Sequence, residues 1–231
     1  GFLNFLPNLF TNDGPYGLTA HPVTYSMIDM IEGSFYLFLI AIIIIYSGQL
    51  VWKERESRIE EIYDATPHPT WVSYLSKFTS LAVVIFIVQV FCIIACIITQ
   101  YSKGFYDIRP MVYVKSLLLI NYSGMLFLVI MAMLIHSLIN NKYMAFFAFV
   151  VFLLLNNFLW LILEVDTNMV QYGSRPSYVY SDMNGFGPFI KGILWFRGYW
   201  LLVAMLLAFI SIFAWTRGKE TAFKNKLRQI K

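Results

Sequence analysis

Few residues in this chain could do chemistry, and their spacing excludes most of what they could do. Glu164, Asp166 and Asp182 share a stretch rich in Tyr, Asn and Gly. Neighbouring carboxylates can run acid–base chemistry or hold a cation. Here their separation, and Gly185, Gly187 and Pro188 among them, reads as an ordinary loop. Cys92 and Cys96 stand at i and i+4, on one helix face, where two thiols could bind a metal or cross-link. Inside an apolar run they read more simply as small packing residues. The histidines are His21, His68 and His136, and no H-E-x-x-H pattern includes them. No G-x-x-x-x-G-K-[ST] phosphate loop occurs, and within the apolar stretches no nucleophile stands at a useful spacing from a base. The sequence therefore predicts no catalytic, cofactor or metal site. A process that uses nucleotide would need another chain to hydrolyse it.

What remains is a set of neutral polar groups inside apolar surroundings: Gln89, Asn121, Asn156 and Asn157, with His136. The elements that carry them are five long apolar stretches, at about 34–51, 78–99, 116–136, 144–163 and 194–215. Each is close to the roughly 20 residues that a helix needs to cross a hydrocarbon core. Apart from Arg197 they contain no Asp, Glu, Lys or Arg, and so lack the polar face of a soluble amphipathic helix. Composition agrees: 13% of residues are charged, against about 25% in soluble domains. The fold class expected is all-α, a polytopic membrane bundle of five transmembrane helices. Polar groups at membrane depth need partners, so these amides face the bundle interior or a wet cavity. Hydrogen bonds between helices are the plain reading, and a substrate path is the sharper one.

Charge placement sets an orientation. With the N-terminal segment outside, eleven Lys and Arg fall on the inner side and six on the outer, much of the bias coming from the tail. The positive-inside rule then puts the start of the chain outside and its end in the cytoplasm. Residues 1–33 form an external segment, 34–216 the bundle and 217–231 a basic cytoplasmic tail suited to anionic lipid. The basic residues flank apolar spans and form no separate domain, which argues against nucleic acid as a partner. The chain starts at Gly1 without a signal peptide, and an odd span count with an external start predicts a further span upstream, six in all.

The connector 52–77 is the most unusual segment. Residues 52–65 favour helix, with Glu54 and Arg58 at i, i+4 and an apolar strip of Ile59, Ile62 and Tyr63. Thr66-Pro67-His68-Pro69 ends that helix, and Thr70 is placed to cap the next. A solvated interfacial helix is one reading, and a docking element for a cytoplasmic partner is the other.

Arg55, Glu56, Thr66, Pro67, Trp71 and Lys77 carry a resemblance. A cytoplasmic helix with Arg-Glu near its start, then a Thr-Pro turn, then a Lys opening the next span, resembles the permease subunit of ABC-2 type transporters. The strings YSGQLVWKERESRIEEIYDATP, YSDMNGFGPF, WFRGYW and TRGKETAFKNKLR are similar to bacterial permeases fused to a zinc aminopeptidase-like domain. The resemblance runs from about Gly14 to the end. It implies an exporter in a bacterial inner membrane, with a separate ATPase subunit and a second permease bundle as partners besides lipid. The ATPase contact would fall on Glu54, Arg55, Arg58, Glu61, Asp64, Thr66 and Pro67. It also implies short re-entrant helices in the external loop 164–193, where Phe186, Phe189, Ile190, Ile193 and Leu194 would suit one. The rival expectation is a non-transporting anchor for a fused peptidase-like domain.

Overall fold

A computed structural model describes residues 22–57, 59, 69–165, 167–181 and 183–215, without the side chains of Ser34, Arg55 and Leu161. Among these residues the fold is all-helical, with five helices long and apolar enough to cross a membrane. The expected connector residues Arg58, Glu61, Asp64, Thr66 and Pro67 lie outside the described residues, as do Asp166, Asp182 and the tail from 217.

Helix α1 (Thr24–Met30) runs through a π-helical turn (Ile31–Phe35) into α2 (Tyr36–Glu56). Residues 24–33, read from sequence as part of an external segment, are helical. Helix α3 (Thr70–Ser102) has 33 residues, about 50 Å at 1.5 Å per residue. It begins eight residues before the apolar stretch does. Pro69, in extended conformation, is its N-cap, so Thr70 is the first helical residue and not the cap. A short α4 (Pro110–Tyr113) enters a second π-helical segment (Val114–Asn121) and continues as α5 (Tyr122–Leu138). Pro110 suits that start, because the first helical position has no amide bond to lose. Helix α6 (Lys142–Ile162) follows after a three-residue link. The last, α7 (Gly187–Ala214), is a single helix, and Phe189, Ile190, Ile193 and Leu194 form its first turns, not a separate re-entrant helix.

Short connectors make sequential helices antiparallel and put their ends in two layers. One layer holds Glu32, the end of α3 and the 163–186 loop; the other holds Glu54, Lys77 and Trp215. Helix α5 is the centre, packing on α2, α3, α6 and α7. Its Val129 and Ala132 are fully buried, and the small Ala side chain lets neighbouring helices close in. Cys92 and Cys96 are free, buried thiols within the same core. Large apolar side chains such as Phe91 (68% exposed), Leu202 and Phe209 point outward, as a surface facing hydrocarbon requires.

Candidate functional site: a polar cavity at Arg197

At the Glu32 end, a cavity of about 120 Å³ opens between α2, α5, α6, α7 and the 163–186 loop. Asn121, Asn156 and Asn157 all line it, so three of the four amides read from sequence as intramembrane polar groups share one space. Gln89 joins them through Asn121, donating from Nε2 to its Oδ1 at 3.2 Å. Tyr36, Gln171, Ser174 and Arg197 complete the polar wall, and Met125, Leu128 and Leu153 the apolar one.

Arg197 lies about three turns into α7. Its Nη2 donates to the carbonyl of Ile120 at 2.8 Å and its Nη1 to that of Gly173 at 3.2 Å. The guanidinium also sits 5.6 Å from the Phe127 ring centroid, a cation–π contact. Ile120 belongs to the π-helical segment, where the wider turn disturbs the regular ladder of backbone bonds. Its carbonyl takes Ser123 Oγ as a second side-chain donor. Gly124 is what lets the guanidinium approach: a Cβ there would stand 3.0 Å from both Nη atoms.

The two asparagines of α6 do different work. Asn156 clips the loop from both sides, accepting the Tyr172 N–H at 2.8 Å and donating to the Tyr172 carbonyl at 3.2 Å. Asn157 donates back to Leu153 of its own helix at 2.8 Å and accepts Gln171 Nε2 at a marginal 3.5 Å. Tyr172 is anchored further by its hydroxyl, which donates to the Phe127 carbonyl at 2.9 Å. Burial pushes that phenol well above its ordinary range, so it stays a neutral donor. Its ring packs edge-on against Trp200 and Phe152.

Beside the cavity, Glu32 on the first π-helical turn accepts Arg175 Nη2 at 2.9 Å and the Tyr178 hydroxyl at 3.2 Å. Arg175 lies over the Tyr178 ring at 4.4 Å, and Ser116 Oγ is 3.2 Å from the same hydroxyl. This cluster ties the start of α2 to the loop, and it commits the nearby carboxylate to Arg175. Among the described residues no carboxylate forms an ion pair with Arg197.

The opposite end carries a second polar cluster. Lys77, 7% exposed, donates to Glu54 at 2.7 Å and lies 4.9 Å over the Trp215 ring. Lys142 pairs with Glu56 at 2.6 Å. Trp52 Nε1 donates to His136 Nδ1 at 3.2 Å, and His136, 2% exposed, is buried against the edge of Phe146. Trp52 and Phe146 thus cover the imidazole inside the bundle, close to the end of α5. Glu54, expected at a partner contact, is engaged within the chain by Lys77.

Sequence reasoning singled out the amides but missed Tyr172, Gly124 and the role of Arg197. The signal for Arg197 was present, since it is the one charged residue inside the five apolar stretches. Gly124 stands three residues after Asn121, on the same face of a helix. No protein-family model, curated protein or solved structure matches this chain.

Proposed function

We propose that this chain is the membrane-spanning permease component of an ABC-2 type exporter in a bacterial inner membrane. A separate cytoplasmic ATPase would act on it through the connector 52–77. The observation that carries this reading is mechanical. Helix α2 runs unbroken to Glu56, past the end of its apolar stretch, and α3 begins eight residues before its own. The Lys77–Glu54 pair ties the two helices where the connector leaves them. A push on the connector therefore reaches α2 and α3 as one unit. The resemblance carried by Arg55, Glu56, Thr66, Pro67, Trp71 and Lys77 gives the push its source.

In this reading the Lys77 end faces the cytoplasm, as the eleven-to-six bias of basic residues favours. Arg55, Arg58, Glu61, Asp64, Thr66 and Pro67 remain the residues for the ATPase contact, while Glu54 holds the base of the connector. Substrate would move along the seam between this bundle and a second one, and the amide-lined cavity would open onto that route.

The test is purification of the full-length protein in mild detergent, followed by mass spectrometry and an ATPase assay. A stoichiometric P-loop ATPase, lost when Arg55 and Arg58 are both changed to Glu, supports the permease. A preparation without ATPase, indifferent to that reversal, would instead favour an anchor for a peptidase-like domain.

A further inference from the structure

We propose that the cavity beside Arg197 binds one anionic group, a carboxylate or a phosphate, held by the guanidinium and the Asn121 amide. The proposal does not depend on the transport reading.

Three observations carry it. First, Arg197 has carbonyls as hydrogen-bond partners and a ring face beside it, but no carboxylate among the described residues, and its Nε is buried without a partner. A cation removed from water is costly until a counter-charge or a full set of hydrogen bonds meets it. The nearby acid, Glu32, is already held by Arg175 and Tyr178. Second, the wall offers donors. Gln89 occupies the Asn121 oxygen, which leaves the Asn121 Nδ2 amide for the cavity, and the Tyr36 hydroxyl lines the same space. Among the described residues no carboxylate lines it, and Arg197 is the one charged side chain in its wall. Third, the size fits. About 120 Å³ holds several waters or one compact anionic group, and is too small for a whole lipid or peptide. Planar carboxylate and phosphate oxygens match a guanidinium in which each Nη donates one bond and keeps a second N–H.

The group has two possible sources, a free anion or the headgroup of an anionic lipid entering from the side. The experiment separates them. The full-length protein is placed in nanodiscs of zwitterionic phosphatidylcholine and titrated with inorganic phosphate and with acetate up to millimolar concentration. Parallel nanodiscs contain phosphatidic acid. Binding is read by calorimetry for the free anions and by retained lipid for phosphatidic acid, with thermal unfolding as a second readout.

Wild type is expected to bind at least one of the three, and Arg197→Gln to weaken that binding by about tenfold or more, the loss of one charge-assisted hydrogen bond. Asn121→Asp keeps the test open should Arg197→Gln fail to fold, because it supplies the counter-ion from within. It is expected to raise the unfolding temperature in anion-free zwitterionic discs and to abolish the anion-dependent shift. Binding of phosphate or acetate assigns a free anion, and selective retention of phosphatidic acid assigns a headgroup. No binding of any of the three by wild type, or an undiminished anion response in Asn121→Asp, would overturn the proposal.

Discussion

Lys77 and Glu54 meet at 2.7 Å although 23 residues separate them, and they differ in burial: the Lys77 side chain is 8% exposed and that of Glu54 32%. The pair joins α2 to α3 near the two ends of the connector. The difference in burial makes the two halves unequal. Removing Glu54 strands a buried ammonium that has, among the described residues, only the Trp215 face besides, whereas removing Lys77 leaves a carboxylate that can turn to water. Glu54→Gln should therefore cost more than Lys77→Met, by about 1–2 kcal/mol after allowing for partial exposure of the pair. Thermal unfolding of both variants in one detergent checks this, and equal costs would mean that the pair is solvated.

Asn156 and Asn157 are adjacent in sequence but should respond very differently to change. Asn156→Leu removes both hydrogen bonds that clip Tyr172, at a cost of about 1–3 kcal/mol. It should also make the 163–186 loop a faster target for limited proteolysis, since release of that backbone needs only local opening. Asn157→Leu loses a bond within its own helix and a marginal contact to Gln171, and should change stability by less than about 1 kcal/mol. Equal proteolysis rates for the two variants would show that the loop is held elsewhere.

The contrast between those two asparagines shows where sequence reading stops. Their presence, and the need of any polar group in a span for a partner, could be read from periodicity and composition alone. So could the five apolar helices. Which amide meets a backbone and which meets its own helix depends on a loop folding back over α6, and no local pattern encodes that. The π-helical turns were equally hidden. Apolar runs such as 117–120 are compatible with either helical register, and nothing local marks the wider turn at Val114–Asn121. Helix ends differ from span ends for a different reason. Hydropathy marks where hydrocarbon begins, but a helix can continue into the polar layer, as α3 does from Thr70 and α7 from Gly187. Arg197 was visible as a lone charge, yet its setting came from residues 120, 124, 127 and 173 on two other segments.

Asp29 on α1 provides a pH test outside the spans. Partial burial, and then the negative charge of Glu32, push its carboxyl above the ordinary value of 3.8. A carboxyl raised in the folded state favours folding while protonated, below its unfolded value. That contribution is lost as pH rises through the folded value. Asp29→Asn should therefore raise the unfolding temperature at neutral pH, and the advantage should vanish below the ordinary carboxylate range. Unfolding curves across that range decide the matter; an advantage that persists at acid pH would point to packing instead of charge.

Gly124 and Arg197 give the sharpest test of the cavity's construction. With Gly at 124 the guanidinium lies directly on the α5 backbone, and an added Cβ would meet both Nη atoms at 3.0 Å, closer than ordinary van der Waals contact. The side chain would have to withdraw by a few tenths of an ångström, and its bonds to the Ile120 and Gly173 carbonyls, at 2.8 and 3.2 Å, would lengthen or break. Gly124→Ala should then cost about 1–3 kcal/mol, even though Ala is the better helix former by about 1 kcal/mol and would otherwise stabilise α5. The sign separates two pictures: net destabilisation means that the guanidinium is held against the helix, and net stabilisation means that it can move away freely. The double variant Gly124→Ala with Arg197→Gln decides between strain at this contact and a general overpacking of α5. If the contact is the cause, the alanine should cost markedly less once the guanidinium is gone, and the two changes should be non-additive by about 1 kcal/mol in a double-mutant cycle.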